Sequence, residues 1–173
     1  VCVLPMGRID NCTEIARRPG VIFCTFGDAM RVPGRHGSLL DAKTAGADIR
    51  IVYSPMDALK LAKENPTREV VFFGLGFETT MPTTAITLRQ ARAQKIHNFY
   101  FFCQHITLIP TLKKLLEQPD NQIDAFLAPG HVSMVIGTHA YDFISQQFHR
   151  PLVVAGFEPL DLLQGVSMLV EQK

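Results

Sequence analysis

The chain has 173 residues, 47% of them hydrophobic and 19% charged, with 17 Lys and Arg against 16 Asp and Glu for a net charge of +1. That balance excludes a disordered polyelectrolyte and gives no electrostatic case for binding nucleic acid or an acidic membrane surface. The longest apolar run, about eight residues around 70–77, is far short of the roughly 20 that span a bilayer as a helix, so no membrane insertion is expected.

The chain opens Val1-Cys2-Val3-Leu4-Pro5, with neither Met nor the basic start and apolar stretch of a signal peptide, and reads as a piece of a longer protein. Cys2 lies just before a helix expected near 8–18, where a thiolate would be favoured by the helix dipole and could react or bind metal. The four cysteines, Cys2, Cys12, Cys24 and Cys103, follow no zinc or disulfide spacing, which suits a reduced, cytoplasmic chain. Cys12 and Cys24 read as buried structural thiols.

Six apolar, β-branched or aromatic runs follow: Val21 to Phe26, Ile49 to Tyr53, Val70 to Leu75, Phe99 to Cys103, Ala125 to Ala128 and Leu152 to Ala155. Their starts lie about 26 residues apart on average, room for a strand, a crossover helix and two loops, as parallel sheets require. Near-continuous apolarity implies helices on both sheet faces. Helices are expected over 38–46, 55–64, 81–94, 109–118, 139–148 and 159–171. Ser38 with Asp41 and Ser54 with Asp57 have the S-x-x-D form of a capping box, and Pro55 and Pro82 suit a first turn. The fold expected is therefore α/β, Rossmann-like strand and helix repeats in parallel sheets, in two lobes. The Pro- and Gly-rich stretch 31–37 is the expected lobe boundary, giving 1–33 as the end of one lobe, 34–158 as a second, and 159–173 as a helix returning to the first.

Ligands of open α/β sheets bind beyond the carboxyl ends of the strands. Those ends carry Gly27-Asp28, Gly76-Phe77-Glu78-Thr79-Thr80, Cys103-Gln104-His105, Pro129-Gly130-His131-Val132-Ser133 and Gly156-Phe157-Glu158. One crevice could gather Asp28, Glu78, His105, His131 and Glu158 as acid, base or hydrogen-bonding groups. Each also has a plainer explanation: a glutamate favourable at a helix N-terminus, a hydrogen-bonding loop histidine at 131, a structural Cys103 with a capping His105. His36, His97, His139 and His149 read as solvated. Gly74-x-Gly76 departs from G-x-G-x-x-G, Ser133 is not in G-x-S-x-G, and Arg31 and Arg35 read as solvated loop residues.

The segments 2–10, Phe23-Cys24-Thr25-Phe26-Gly27-Asp28 with its continuation to Gly34, Gly-Phe-Glu-Thr-Thr at 76–80, Pro-Gly-His-Val-Ser at 129–133 and Gly-Phe-Glu-Pro-Leu-Asp at 156–161 together resemble the HypD family of NiFe-hydrogenase maturation factors. The resemblance covers essentially the whole chain. It implies a central piece of a two-lobed α/β protein that, with the partners HypC and HypE, assembles the Fe(CN)2CO group and carries a 4Fe-4S cluster in a carboxyl-terminal region. It further implies that Cys2 is the second cysteine of a redox-active C-P-V-C pair. Glu78, Thr79, Thr80, His131, Glu158, Asp161 and Asp28 would line the cleft between lobes, and the iron-holding and cluster-binding cysteines would lie outside this chain. Two rivals remain in view: an iron-independent α/β module binding a small anion, and an interaction domain docking through exposed apolar residues such as Met30 and Val32.

Overall fold

A computed structural model describes residues 4–172, in the order α1 (Met6–Ala16), β1 (Val21–Thr25), α2 (Leu39–Thr44), β2 (Ile49–Ile51), α3 (Pro55–Glu64), β3 (Glu69–Gly76), α4 (Met81–Ala93), β4 (Phe99–His105), α5 (Leu108–Leu116), β5 (Phe126–Pro129), α6 (Gly130–Ile136), α7 (Asp142–Phe148), β6 (Leu152–Ala155) and α8 (Pro159–Gln172). Single 3-10 turns sit at Gly27–Arg31 and Thr138–Tyr141. No helix among the described residues is long and apolar enough to cross a membrane.

The described residues form two compact units. The first runs to Gly76 and resumes over Thr80–His105; the second comprises Phe77–Thr79 and the residues from Ile106 on. In the first unit a parallel four-stranded sheet has the order β2-β1-β3-β4. Strand alternation sends Phe23, Val71 and Phe73 to one face, where Ile9 and Cys12 of α1 and Leu39 and Ala42 of α2 cover them. It sends Ile22, Cys24, Val70 and Phe72 to the other face, against Ala58 and Ala62 of α3. Both faces are thus buried, which is why β1 and β3 carry unbroken apolar runs. Burial pushes the Cys12 and Cys24 thiols up to about 12, with Arg8 and Arg50 respectively acting weakly against it, so both are inert packing groups.

The second unit holds a parallel pair, β5 with β6, and a core in which Leu116 of α5, Ala128, and Tyr141 with Phe143 and Ile144 meet. The expected helix starts hold well. Ser38 N–H donates to Asp41 Oδ2 at 2.8 Å and Asp41 N–H returns to Ser38 Oγ at 3.2 Å; at α3, Ser54 N–H donates to Asp57 Oδ2 at 3.0 Å and Met56 N–H to Ser54 Oγ at 3.2 Å.

Three expectations need correcting. The stretch 31–37 lies inside the first unit: Gly34 and Gly37 form a bridge, and Arg35 N–H donates to Asp10 Oδ1 of α1 at 2.8 Å. Residues 130–136, expected as a loop, are helical. Met30 is only 3% exposed and Val32 packs on the first core, so neither offers a docking surface; the exposed apolar side chains of the second unit include Met134, Phe157, Leu160 and Leu163.

Candidate functional site

The polar residues expected at strand ends do lie there, but the structure divides them. Asp28 and His105 belong to the first unit, and Glu78, His131 and Glu158 to the second. Asp28 stands exposed in the first turn of the 3-10 segment after β1. Cys2 lies outside the described residues.

Glu78 has the most particular surroundings. Its Oε1 accepts a 2.6 Å hydrogen bond from the backbone N–H of Leu108, the first residue of α5, satisfying one of the donors that a helix leaves unpaired at its start. The flanking Thr107 supplies no side-chain cap, so a glutamate 30 positions earlier does that work. The other oxygen, Oε2, is shut off from solvent and has no hydrogen-bond partner among the described residues. Thr25 Oγ1 at the end of β1 is in the same condition. The plainer expectation for Glu78, a favourable charge at a helix N-terminus, therefore holds for α5 and not for the helix that follows it in sequence.

The neighbouring threonine is held differently. Gly76 has φ +130°, and a Cβ there would lie 2.5 Å from Thr80 Oγ1, so the threonine hydroxyl fills the space that only glycine leaves open. Thr80 Oγ1 and Thr84 Oγ1 flank the His105 ring, at 3.3 Å from Nδ1 and 3.2 Å from Nε2, and Gly76 O lies 3.4 Å from Nδ1. Burial holds the His105 imidazole below its ordinary value, with the Gly76 carbonyl acting against it. His105 is thus a bridge between a turn and a helix, not a cap. Thr84 was not foreseen as a partner; its signal was the i, i+4 spacing from Thr80 on one helix face. Cys103 of β4 is exposed and stands opposite Gly74.

In the second unit His131 sits in the first turn of α6. Gly130 is obligatory before it, because a Cβ there would lie 2.9 Å from the Ala155 carbonyl oxygen of β6. Ser133 Oγ donates to Pro129 O at 2.8 Å, so the buried Tyr141 hydroxyl, 2.9 Å away, donates to Ser133 in turn and anchors that first turn from below. The exposed His131 ring packs on Phe157, with centroids 5.0 Å apart. The structure therefore brings His131 together with the second Gly-Phe-Glu segment, because Pro129 and Ala155 are paired in register. Glu158 itself is exposed, its backbone carbonyl accepting from Leu162 N–H at the start of α8. The side chains of His36, His97, His139 and His149 are exposed, as expected.

Among the described residues no three His, Cys, Asp or Glu side chains come together as a metal-ligand set. The arrangement offers hydrogen-bonding groups and one carboxyl oxygen shut off from solvent.

Comparison with known proteins gives a consistent result. The family model HypD, described as the hydrogenase formation hypA family, matches residues 1–173. A protein named hydrogenase maturation factor HypD from Escherichia coli (strain K12) is 83% identical over 173 residues, covering 100% of this chain and 46% of that protein. A protein of the same name from Rhodobacter capsulatus is 63% identical over 172 residues, 99% of this chain and 46% of the relative. Another, from Cupriavidus necator, is 49% identical over 179 residues, 99% of this chain and 47% of the relative. The chain spans about half the length of the curated relatives it matches.

Proposed function

The chain belongs to the HypD family, and from that premise we propose that it serves hydrogenase maturation as one wall of an iron-assembly site. The observation that carries this reading is the end-to-end family match, within which the motif residues Glu78, Thr79, Thr80, His131 and Glu158 fall at carboxyl ends of parallel strands. In this reading the complete protein works in the cytoplasm with HypC and HypE, and its cargo is the Fe(CN)2CO group. Thiolates outside the described residues, with Cys2 as one member of a redox pair, hold the iron or pass electrons; soft sulfur ligands suit iron bearing strong-field diatomics. A 4Fe-4S cluster belongs to the same reading of the complete protein.

The part assigned to this chain is the management of hydrogen bonds and protons around that cargo. The buried Oε2 of Glu78 is an acceptor in want of a donor, and the exposed His131 imidazole offers a donor and an acceptor on one ring. Ser133 and Tyr141 keep the His131 turn fixed while it does so. A full-length protein carrying Glu78→Gln with His131→Ala should fail to mature hydrogenase while accumulating at normal levels. Normal hydrogenase activity in that double variant contradicts the reading. Pure partner docking is the second reading, favoured by the exposure of Met134, Phe157, Leu160 and Leu163, and survival of HypC binding and of maturation after loss of every polar group named above would favour it.

A further inference from the structure

Gly76, Thr80 and His105 all belong to the first unit, and each is a residue at which the chain leaves or re-enters it. They are also hydrogen-bonded to one another. Gly76 and His105 are register partners at the ends of β3 and β4, and the His105 ring reaches the Gly76 carbonyl and the Thr80 hydroxyl with one nitrogen and Thr84 with the other.

The Gly76 carbonyl favours one neutral form. A carbonyl oxygen only accepts, so the nitrogen facing Gly76 O must carry hydrogen, which makes His105 the Nδ1–H tautomer. That N–H is shared between Gly76 O at 3.4 Å and Thr80 Oγ1 at 3.3 Å, and Thr80 passes its own proton toward Leu75 O at 3.5 Å. Nε2 is then an acceptor for the Thr84 hydroxyl at 3.2 Å, whose one proton is shared with the Thr80 carbonyl oxygen, also at 3.2 Å. The opposite tautomer would set a lone pair against the Gly76 carbonyl. The Phe101 ring, 5.7 Å from that of His105, closes one side of the pocket.

We infer that His105, as the neutral Nδ1–H tautomer, is a positioning residue that pins both ends of the turn carrying Phe77, Glu78 and Thr79. The clasp fixes Gly76 and Thr80, so only three residues remain between two fixed points. Its importance to maturation rests on the assembly-site reading above; the clasp itself does not.

The test uses the full-length protein with His105→Asn, whose amide N–H takes the place of Nδ1–H, and His105→Gln, whose amide reaches only to Nε2. Deuterium exchange over residues 76–80 should rise about tenfold in H105Q, stay within about twofold of wild type in H105N, and remain unchanged over β1 in both. Independently, nitrogen-15 spectra of the unmodified protein should show the His105 ring protonated at Nδ1. Protonation at Nε2, or equal protection of the turn in both variants, overturns the inference. Faster exchange in H105Q with hydrogenase maturation intact would uphold the clasp and remove the turn from the assembly site.

Discussion

Gly-Phe-Glu occurs twice, each time between a parallel strand and a helix, yet the two copies have little in common once folded. After β6, Glu158 directly precedes α8; its backbone carbonyl starts the helix and its side chain is exposed. After β3, Thr79 and Thr80 are inserted between the glutamate and α4, and Thr80 takes the position before the helix. Those two residues remove Glu78 from its own helix and let its carboxyl group cap α5 instead. The glycines differ in the same direction. Gly76 has φ +130° and its missing Cβ is replaced by a threonine hydroxyl, whereas Gly156 is faced by the Asp161 carboxylate, the far end of a side chain on the first turn of α8. Identical tripeptides thus become a tightly held, half-buried turn and an open one, and the following two residues decide which.

The comparison breaks most readily at the glycines. Gly76→Ala should destabilise the full-length protein by about 2–3 kcal/mol, since a non-glycine residue is strained at that φ and Thr80 must also move. Gly156→Ala should cost under about 1 kcal/mol, because the Asp161 side chain can swing aside. Denaturant unfolding of both variants measures the difference, and equal costs would dissolve the distinction. The glutamates come next. Glu78→Ala leaves the Leu108 N–H without its acceptor and should cost about 1–2 kcal/mol, against less than about 0.5 kcal/mol for the exposed Glu158→Ala.

The third test is pH. His105 is depressed in the folded protein below its ordinary 6.5, so the unfolded chain binds more protons in that interval and stability rises with pH across it. The contribution is fully present above 6.5 and is lost as pH falls toward the folded-state value. Thermal unfolding should therefore weaken below pH 6.5 in the wild type and weaken less in H105Q; parallel curves would contradict this assignment. A similarly small effect is expected at the open turn, where Phe157→Leu removes the His131 ring contact and should cost about 0.5 kcal/mol.

Much of this was legible from the residues alone. Parallel α/β order, all six strands and both capping boxes follow from patterns of apolar runs and S-x-x-D spacing, because those signals are local. The helix at 130–136 was not, since Pro129 and Gly130 at its start read as a turn, while its real support is Tyr141, a residue eight positions past Ser133. The bond from Leu108 to Glu78 crosses 30 positions and has no sequence signature at all. The stretch 31–37 misled for the opposite reason: its Pro and Gly residues are turn-formers in the service of packing on Asp10, and the division of the molecule falls at the ends of β3 and β4.

The most direct test of the assembly-site reading is infrared spectroscopy of the anaerobically purified full-length protein in complex with HypC, comparing wild type with the Glu78→Gln, His131→Ala double variant. The account predicts cyanide and carbon monoxide stretching bands in the wild-type complex and their loss in the variant, with the complex itself still formed. The same bands at the same intensity in both would contradict it, and would leave these residues to the scaffold.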